Sequence, residues 1–209
     1  MKKNISVMVV LLILLSLPSV SFAYFNRPGP YFSGLLGMVT MTDSDLSDVE
    51  STTTLKFEPG FATGFATGFN FGMFRIEGEW LHQRNEIDKI KGYDYDYDEY
   101  YSEKVSSGDM EVYSFLGNIY LDFVNPSTVT PYLTAGMGMA KVELNDFFHD
   151  NYEDSVMAYQ VGAGLAFQIN PHFSIDLKYR YFATENPEFD GIEAKLASHN
   201  VYCGFRVNF

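Results

Sequence analysis

The chain has 209 residues, of which 46% are hydrophobic and 17% aromatic, and its formal net charge is −13. Because an acidic surface repels phosphate groups, the composition argues against nucleic acid as a partner. Cys203 is the single cysteine, so the chain cannot form an intrachain disulfide bond.

The amino-terminal segment has the pattern of a secretory signal peptide. Two lysines precede an almost unbroken apolar run over residues 7–17, and Ser21 and Ala23 place small residues at a cleavage site. The run is shorter than the ~20 residues that cross a bilayer as a helix, which disfavours the alternative of a retained membrane anchor. We expect residues 1–23 to be removed and residues 24–209 to form one domain.

Eight later segments alternate between an apolar face and a polar or small-residue face. This period of two residues is typical of β-strands. Each segment is as long as the ~9–11 residues that a tilted strand needs to cross a bilayer. The sequence therefore predicts an all-β fold, an eight-stranded antiparallel up-and-down transmembrane barrel. Its strands are predicted at residues 30–40, 60–71, 73–85, 109–123, 131–144, 155–169, 173–183 and 197–209.

The connections between these segments also alternate in length. Long connections are predicted at residues 41–59, 86–108, 145–154 and 184–196, and short ones follow the second, fourth and sixth strands. Short turns on the periplasmic side and long loops on the outer side are typical of outer-membrane barrels. Glycines and alanines on the inward faces fit the narrow interior that eight strands enclose.

Several stretches resemble the eight-stranded outer-membrane β-barrel family, which includes opacity-type surface proteins, bacterial surface antigens and the OmpA-like transmembrane domain. The resemblance lies in FGMFRIEGE (71–79), PYLTAGMG (131–138), YQVGAGLAF (159–167), KYRYF (178–182) and GFRVNF (204–209). It implies a place in the outer membrane of a Gram-negative-type bacterium, in contact with membrane lipid and lipopolysaccharide. It also implies insertion by the barrel-assembly machinery through the carboxy-terminal strand, with Phe205, Val207 and Phe209 as its signal. These motifs encode barrel geometry, so they identify a fold rather than an activity.

Eight charged residues are predicted to point into the barrel. The basic ones are Arg75, Lys178, Arg180 and Arg206, and the acidic ones are Glu77, Glu79, Asp122 and Asp176. Unpaired charge is costly in a narrow, low-dielectric interior, so we expect these side chains to pair. A selective pore more often shows an excess of one sign. We therefore predict a plugged, salt-bridged lumen, with a narrow porin that passes small solutes as the alternative.

The loop at residues 86–108 is rich in tyrosine and aspartate. The recognition candidates are Tyr93, Asp94, Tyr95, Asp96, Tyr97, Asp98, Tyr100 and Tyr101. One interpretation is a pair of projecting strands with a solvated acidic face, and a second is a surface for a host or environmental ligand. A third, Ca²⁺ capture, is weak because the spacing lacks the glycine turn and terminal glutamate of a calcium loop. The other long loops are acidic too, which fits either solubility or divalent-cation bridges to glycolipid.

The histidines give little indication of catalysis. Neighbouring residues of a strand point to opposite faces, so Ser198 and His199 cannot form a nucleophile–base pair. A pair like that of lipid A deacylases would need a serine where Val201 stands. His149 and His172 are expected in a loop and a turn, and His82 near the membrane interface. We expect no catalytic residue, metal or cofactor, and a structural or surface-interaction role of the adhesin or antigen type.

Overall fold

Eight long strands follow the alternating segments of the sequence. The computed structural model describes residues 28–42, 44–47, 51–94, 99–104, 108–147, 150–186, 188–189, 192–193 and 196–209. The long strands are β1 (Gly29–Met41), β2 (Gly60–Asn70), β3 (Phe74–Asp94), β4 (Asp109–Asp122), β5 (Val129–Phe147), β6 (Asp150–Asn170), β7 (Phe173–Thr184) and β8 (Ala197–Asn208). The predicted signal peptide, residues 1–23, lies outside the described residues.

Every long strand pairs antiparallel with its neighbour in the chain. The first strand also pairs with the last, with Tyr31 opposite Asn208 and Met41 opposite Ser198, so the sheet closes on itself. Closure satisfies the backbone groups that an open edge would leave without hydrogen bonds in a bilayer. The predicted eight-stranded up-and-down barrel is confirmed. Within the described residues, no helix is long and apolar enough to cross a membrane.

Three strands are longer than the sequence predicted. The strand β3 continues nine residues beyond the predicted end at Asn85, and β5 and β6 together reach Phe147 and Asp150. The predicted connections 86–108 and 145–154 are therefore wrong in extent. The prediction followed apolar alternation, and this pattern ends where the strands leave the apolar part of the wall although the backbone pairing continues.

The extension of β3 carries a small sheet beyond the barrel. Ser51–Phe57 pairs with one side of this extension and Glu99–Lys104 with the other, and Ser44–Ser47 pairs with Ser51–Phe57. A separate short hairpin joins Glu188–Phe189 to Ile192–Glu193. The longest loops thus begin as ordered strands rather than as irregular chain.

The two faces of the wall differ as the alternation predicts. On β2, the side chains of Phe61 and Phe65 are 73% and 50% exposed, whereas Ala62 and Ala66 point inward and are buried. Cys203 is exposed on the outer face of β8. The outer wall is apolar and the inner face holds the small and polar residues, an arrangement that suits a barrel in lipid.

The interior has two halves of different chemistry. The half next to the short turns holds the charged residues. The half next to the loops holds an apolar cluster that the sequence analysis did not anticipate. This cluster consists of Leu35, Val39, Met41, Ala62, Leu81, Ile87, Met110, Val112, Leu116, Ala140, Val142, Leu144, Ala158, Phe182, Leu196 and Tyr202. Side chains thus occupy both halves of the lumen, in agreement with the narrow bore of eight strands.

Inward glycines make room for large inward side chains. A Cβ added at Gly164 would overlap the ring of Tyr132, whereas one added at Gly117, on the outer face, would meet nothing closer than 3.8 Å. We expect Gly164→Leu to destabilise the barrel by about 1–3 kcal/mol through overpacking. The matched change Gly117→Leu should leave stability near that of the wild type.

Urea unfolding in lipid vesicles, followed by tryptophan fluorescence and by the heat-modifiable band on gels, measures both variants. Equal midpoints for the two variants would contradict the packing assignment.

Candidate functional site

The charged residues of the turn half form a layered network. At its base, the guanidinium of Arg75 donates from Nε and Nη2 to the two carboxylate oxygens of Asp122, at 2.8 and 2.9 Å. The same guanidinium lies 4.2 Å from the ring centroid of Tyr120. Both charged side chains are almost fully buried. A bidentate pair stacked on an aromatic ring is the arrangement that best offsets the cost of burying an arginine.

Glu77 lies one layer above this pair. Its carboxylate accepts hydrogen bonds from the hydroxyls of Tyr31 at 2.9 Å and Tyr120 at 2.7 Å, and from the Asn118 amide at 3.4 Å. These donors come from β1 and β4, on either side of the β2–β3 hairpin that carries Glu77. The carboxylate therefore ties several strands together through neutral donors.

Glu79 is the centre of the network. It is 0% exposed, and its two carboxylate oxygens pair with Lys178 Nζ at 3.0 Å and Arg180 Nη1 at 2.6 Å. Arg180 also donates to Gln160 Oε1 at 2.6 Å and to the Tyr202 hydroxyl at 2.9 Å. Because β3 and β7 lie four strands apart in the ring of eight, this ion pair crosses the full width of the lumen.

The two remaining charges, Arg206 and Asp176, lie further apart than the other ion pairs of the interior. Arg206 Nη2 lies 3.6 Å from Asp176 Oδ1, which is beyond hydrogen-bonding distance. The structure thus places all eight predicted charges in the interior. Hydrogen bonds, ion pairs and the stacking of Arg75 on Tyr120 connect six of them, and Arg206 and Asp176 lie beside this network. The alternating pattern points four further partners of these charges inward, but nothing in the sequence marks them as partners: Tyr31, Tyr120, Gln160 and Tyr202.

A second group of charged residues lies on the outer face, where the apolar wall ends. We call it the rim, and it consists of His82, Arg84, Asp109, Glu111, Tyr113, Lys141, Glu143 and Glu153. Arg84 lies 3.3 Å from Asp109, and Lys141 lies 2.8 and 2.6 Å from Glu143 and Glu153. These exposed pairs mark the level at which the wall meets polar surroundings.

Hydrogen bonds at the rim shift the pKa values of ionisable side chains there. The Tyr113 hydroxyl donates to Glu111 at 2.5 Å, and this bond, with a second contact from His82, lowers the pKa of the Glu111 carboxyl. Two carboxylates around Lys141 raise the pKa of its ammonium group. Both groups therefore stay charged at neutral pH.

The histidines do not assemble a catalytic group among the described residues. His82 contacts Glu111 at 3.1 Å and stacks on Tyr113, and His199 lies 2.7 Å from the Tyr179 hydroxyl. Ser198 is buried in the interior while its neighbour His199 faces outward. Within the described part of the chain, no cluster of three His, Cys, Asp or Glu could hold a metal ion. His149 lies outside the described residues.

The tyrosine-rich loop is described only in part. Tyr93 and Asp94 end β3, and Tyr100 and Tyr101 belong to the strand that pairs with it, with Tyr93 opposite Tyr100. Residues 95–98, which include Tyr95, Asp96, Tyr97 and Asp98, lie outside the described residues. The described residues on either side of this gap are therefore paired antiparallel strands, as the interpretation of projecting strands expects.

Comparisons with known proteins agree with the barrel. Residues 8–209 match the family model described as the outer membrane protein beta-barrel domain. No curated protein matches the chain. Neisserial surface protein A superposes with a TM-score of 0.57 at 18% identity, covering 87% of this chain and 99% of its own.

Two further solved structures are similar in fold. The outer membrane protein OprG of Pseudomonas aeruginosa gives a TM-score of 0.50 at 12% identity, covering 88% of this chain and 97% of its own. The outer membrane protease OmpT of Escherichia coli gives 0.51 at 8% identity, covering 92% and 100%. At these identities the likeness concerns the fold alone.

Removal of Glu79 tests the network. Glu79→Ala leaves Lys178 and Arg180 buried without a carboxylate, and breaking a buried pair in this way costs about 3–5 kcal/mol. Glu153→Ala at the rim breaks an exposed pair with Lys141 and serves as the control, with little change expected.

Urea unfolding midpoints of the two variants in lipid vesicles measure the difference. A loss for Glu79→Ala no larger than that of the control would mean that the central ion pair does not hold the barrel together.

Proposed function

Because the chain belongs to the outer membrane protein β-barrel family, we propose that it is a non-catalytic structural or surface-interaction protein with a closed lumen. It is an outer-membrane protein of a Gram-negative bacterium. The observation that carries the proposal is the ion pair of Glu79 with Lys178 and Arg180, which spans the lumen. The loops above the barrel then supply whatever specificity the protein has.

Two barriers in series support a closed lumen. An ion in the turn half would have to break the pairs around Glu79, at the cost of leaving charges unpaired in the interior. Above that level, the apolar cluster shares the interior with only uncharged polar side chains, such as Gln83 and Asn200, so an ion that sheds its hydration shell there pays a desolvation cost. Each of the two barriers alone opposes steady conduction of ions. A narrow porin that passes small solutes would require both barriers to open.

The charge of the loops supports a role at the cell surface. Residues 42–59, 86–108, 145–154 and 185–196 contain 20 of the 27 acidic residues but only 5 of the 14 basic ones. The barrel itself is close to neutral, so the acidic character of the chain belongs to its outer end. Such a surface attracts a ligand of net positive charge and repels an anionic one. Divalent cations could equally bridge it to the anionic lipopolysaccharide around it.

The proposal includes export and assembly of the barrel. Residues 1–23 serve as a cleavable signal peptide that directs the chain to export. Phe205 on β8 and Phe209 directly after it are 44% and 74% exposed on the outer face, as a signal read by the barrel-assembly machinery requires. The contacts of the histidines support a non-catalytic role, since His82 and His199 pair with rim or interface side chains and not with a nucleophile.

Planar-bilayer recordings test the closed lumen. We expect the wild type to show no steady conductance, and Arg180→Ala to show brief openings because half of the central ion pair is lost. The rim variant Glu153→Ala should be as silent as the wild type. A steady wild-type current would contradict the proposal and favour a small porin.

Replacing residues 88–105 with an Asn-Gly turn tests the loops. Pairing between β3 and β4 begins at Glu86 and Asp109, so the barrel should still fold. In nanodiscs of neutral lipid, we expect the wild type to bind fluorescent poly-lysine and the loop variant to bind it several-fold more weakly. Poly-glutamate is the control ligand. Equal binding of poly-lysine by the two proteins would contradict a role for this loop.

A further inference from the structure

A small cavity lies inside the barrel at the turn end. Its volume is about 20 Å³, and Ser33, Tyr120, Tyr132, Asp176 and Arg206 are among the residues that line it. This volume is close to that of a single water probe, the minimum that a buried water molecule requires. The cavity is therefore large enough for one water and too small for a solute.

Two buried charged side chains beside the cavity lack hydrogen-bond partners among the described residues. Arg206 has unpaired Nε and Nη1 donors, and Asp176 has an unpaired Oδ1 acceptor. Arg206 is 7% exposed and Asp176 is 8% exposed. Their separation of 3.6 Å is too long for a direct hydrogen bond. Nearby, Arg75 and Asp122 make a direct bidentate pair, so the looseness is particular to this one pair.

We propose that one water molecule occupies this cavity and bridges Arg206 to Asp176. The ligand must accept hydrogen bonds from a guanidinium and donate one to a carboxylate, and water does both. An anion there would face the carboxylates of Asp176 and Glu77, and a cation would face three basic side chains. The Nε and Nη1 donors of Arg206 and the Oδ1 acceptor of Asp176 give this water three hydrogen-bond partners. Buried waters typically have two to four. Leaving the donors and acceptor unsatisfied would carry the full desolvation penalty of each.

The site joins the two ends of the chain. Ser33 of β1 is the register partner of Arg206 on β8, and Asp176 belongs to β7. The water site is therefore complete only when the first and last strands have paired.

Hydroxyl-radical footprinting detects buried water because radiolysis of a bound water oxidises the aromatic rings beside it. The measurement uses the wild-type protein in lipid nanodiscs. Tyr120 and Tyr132 line the cavity and are only 4% and 3% exposed, and Tyr202 is a buried control outside it. We expect Tyr120 and Tyr132 to be oxidised several-fold faster than Tyr202.

A variant that fills the cavity provides a second test of the proposed water. Ser33→Leu fills the cavity and should lower oxidation of Tyr120 and Tyr132 to the level of Tyr202, while Thr63→Leu on the outer face should leave it unchanged. Oxidation of the two lining tyrosines no faster than that of Tyr202 in the wild type would overturn the proposal. So would undiminished oxidation in a folded Ser33→Leu barrel. If Ser33→Leu does not fold, the wild-type comparison decides alone.

Discussion

The ion pair of Glu79 with Lys178 and Arg180 is the interaction on which the rest of the interior depends. It joins strands on opposite sides of the ring, so neither partner is satisfied until the barrel has closed. Buried charges without partners are strongly destabilising, and this penalty selects one arrangement of the surrounding side chains. Tyr202 and Gln160 take positions set by the guanidinium of Arg180, and Asn118 in turn accepts a bond from Gln160.

The barrel is stabilised differently inside and outside. In lipid, the apolar outer wall gains little from contact between its own side chains, because the hydrocarbon around it is equally apolar. Stability therefore depends on the closed backbone pairing and on the interior. The interior combines the polar network of the turn half with an apolar cluster that resembles the core of a soluble protein. Together they support the proposal of a closed lumen.

Much of the fold could be predicted from the sequence, because a period of two residues decides which side chains face inward. The alternation located all eight strands and placed residues such as Glu79 and Arg180 inside. It could not give the pairs, since the partner of an inward side chain depends on the register between distant strands. It also missed the apolar cluster, because Leu81 or Val142 on an inward face resembles an ordinary strand residue until its depth in the barrel is known. The added length of β3 could not be predicted for a related reason. Beyond the membrane the backbone pairing continues without an apolar face, so the alternation that indicates a strand is missing there.

That added length has a mechanical consequence. A strand rises about 3.3 Å per residue, so the nine residues of β3 beyond Asn85 span on the order of 30 Å along the strand. Strands pair with this extension on both sides, which restricts its bending. Its tip therefore lies beyond the end of the apolar wall. For the proposed role at the cell surface, this length places the recognition candidates at the end of β3 well away from the membrane-spanning wall.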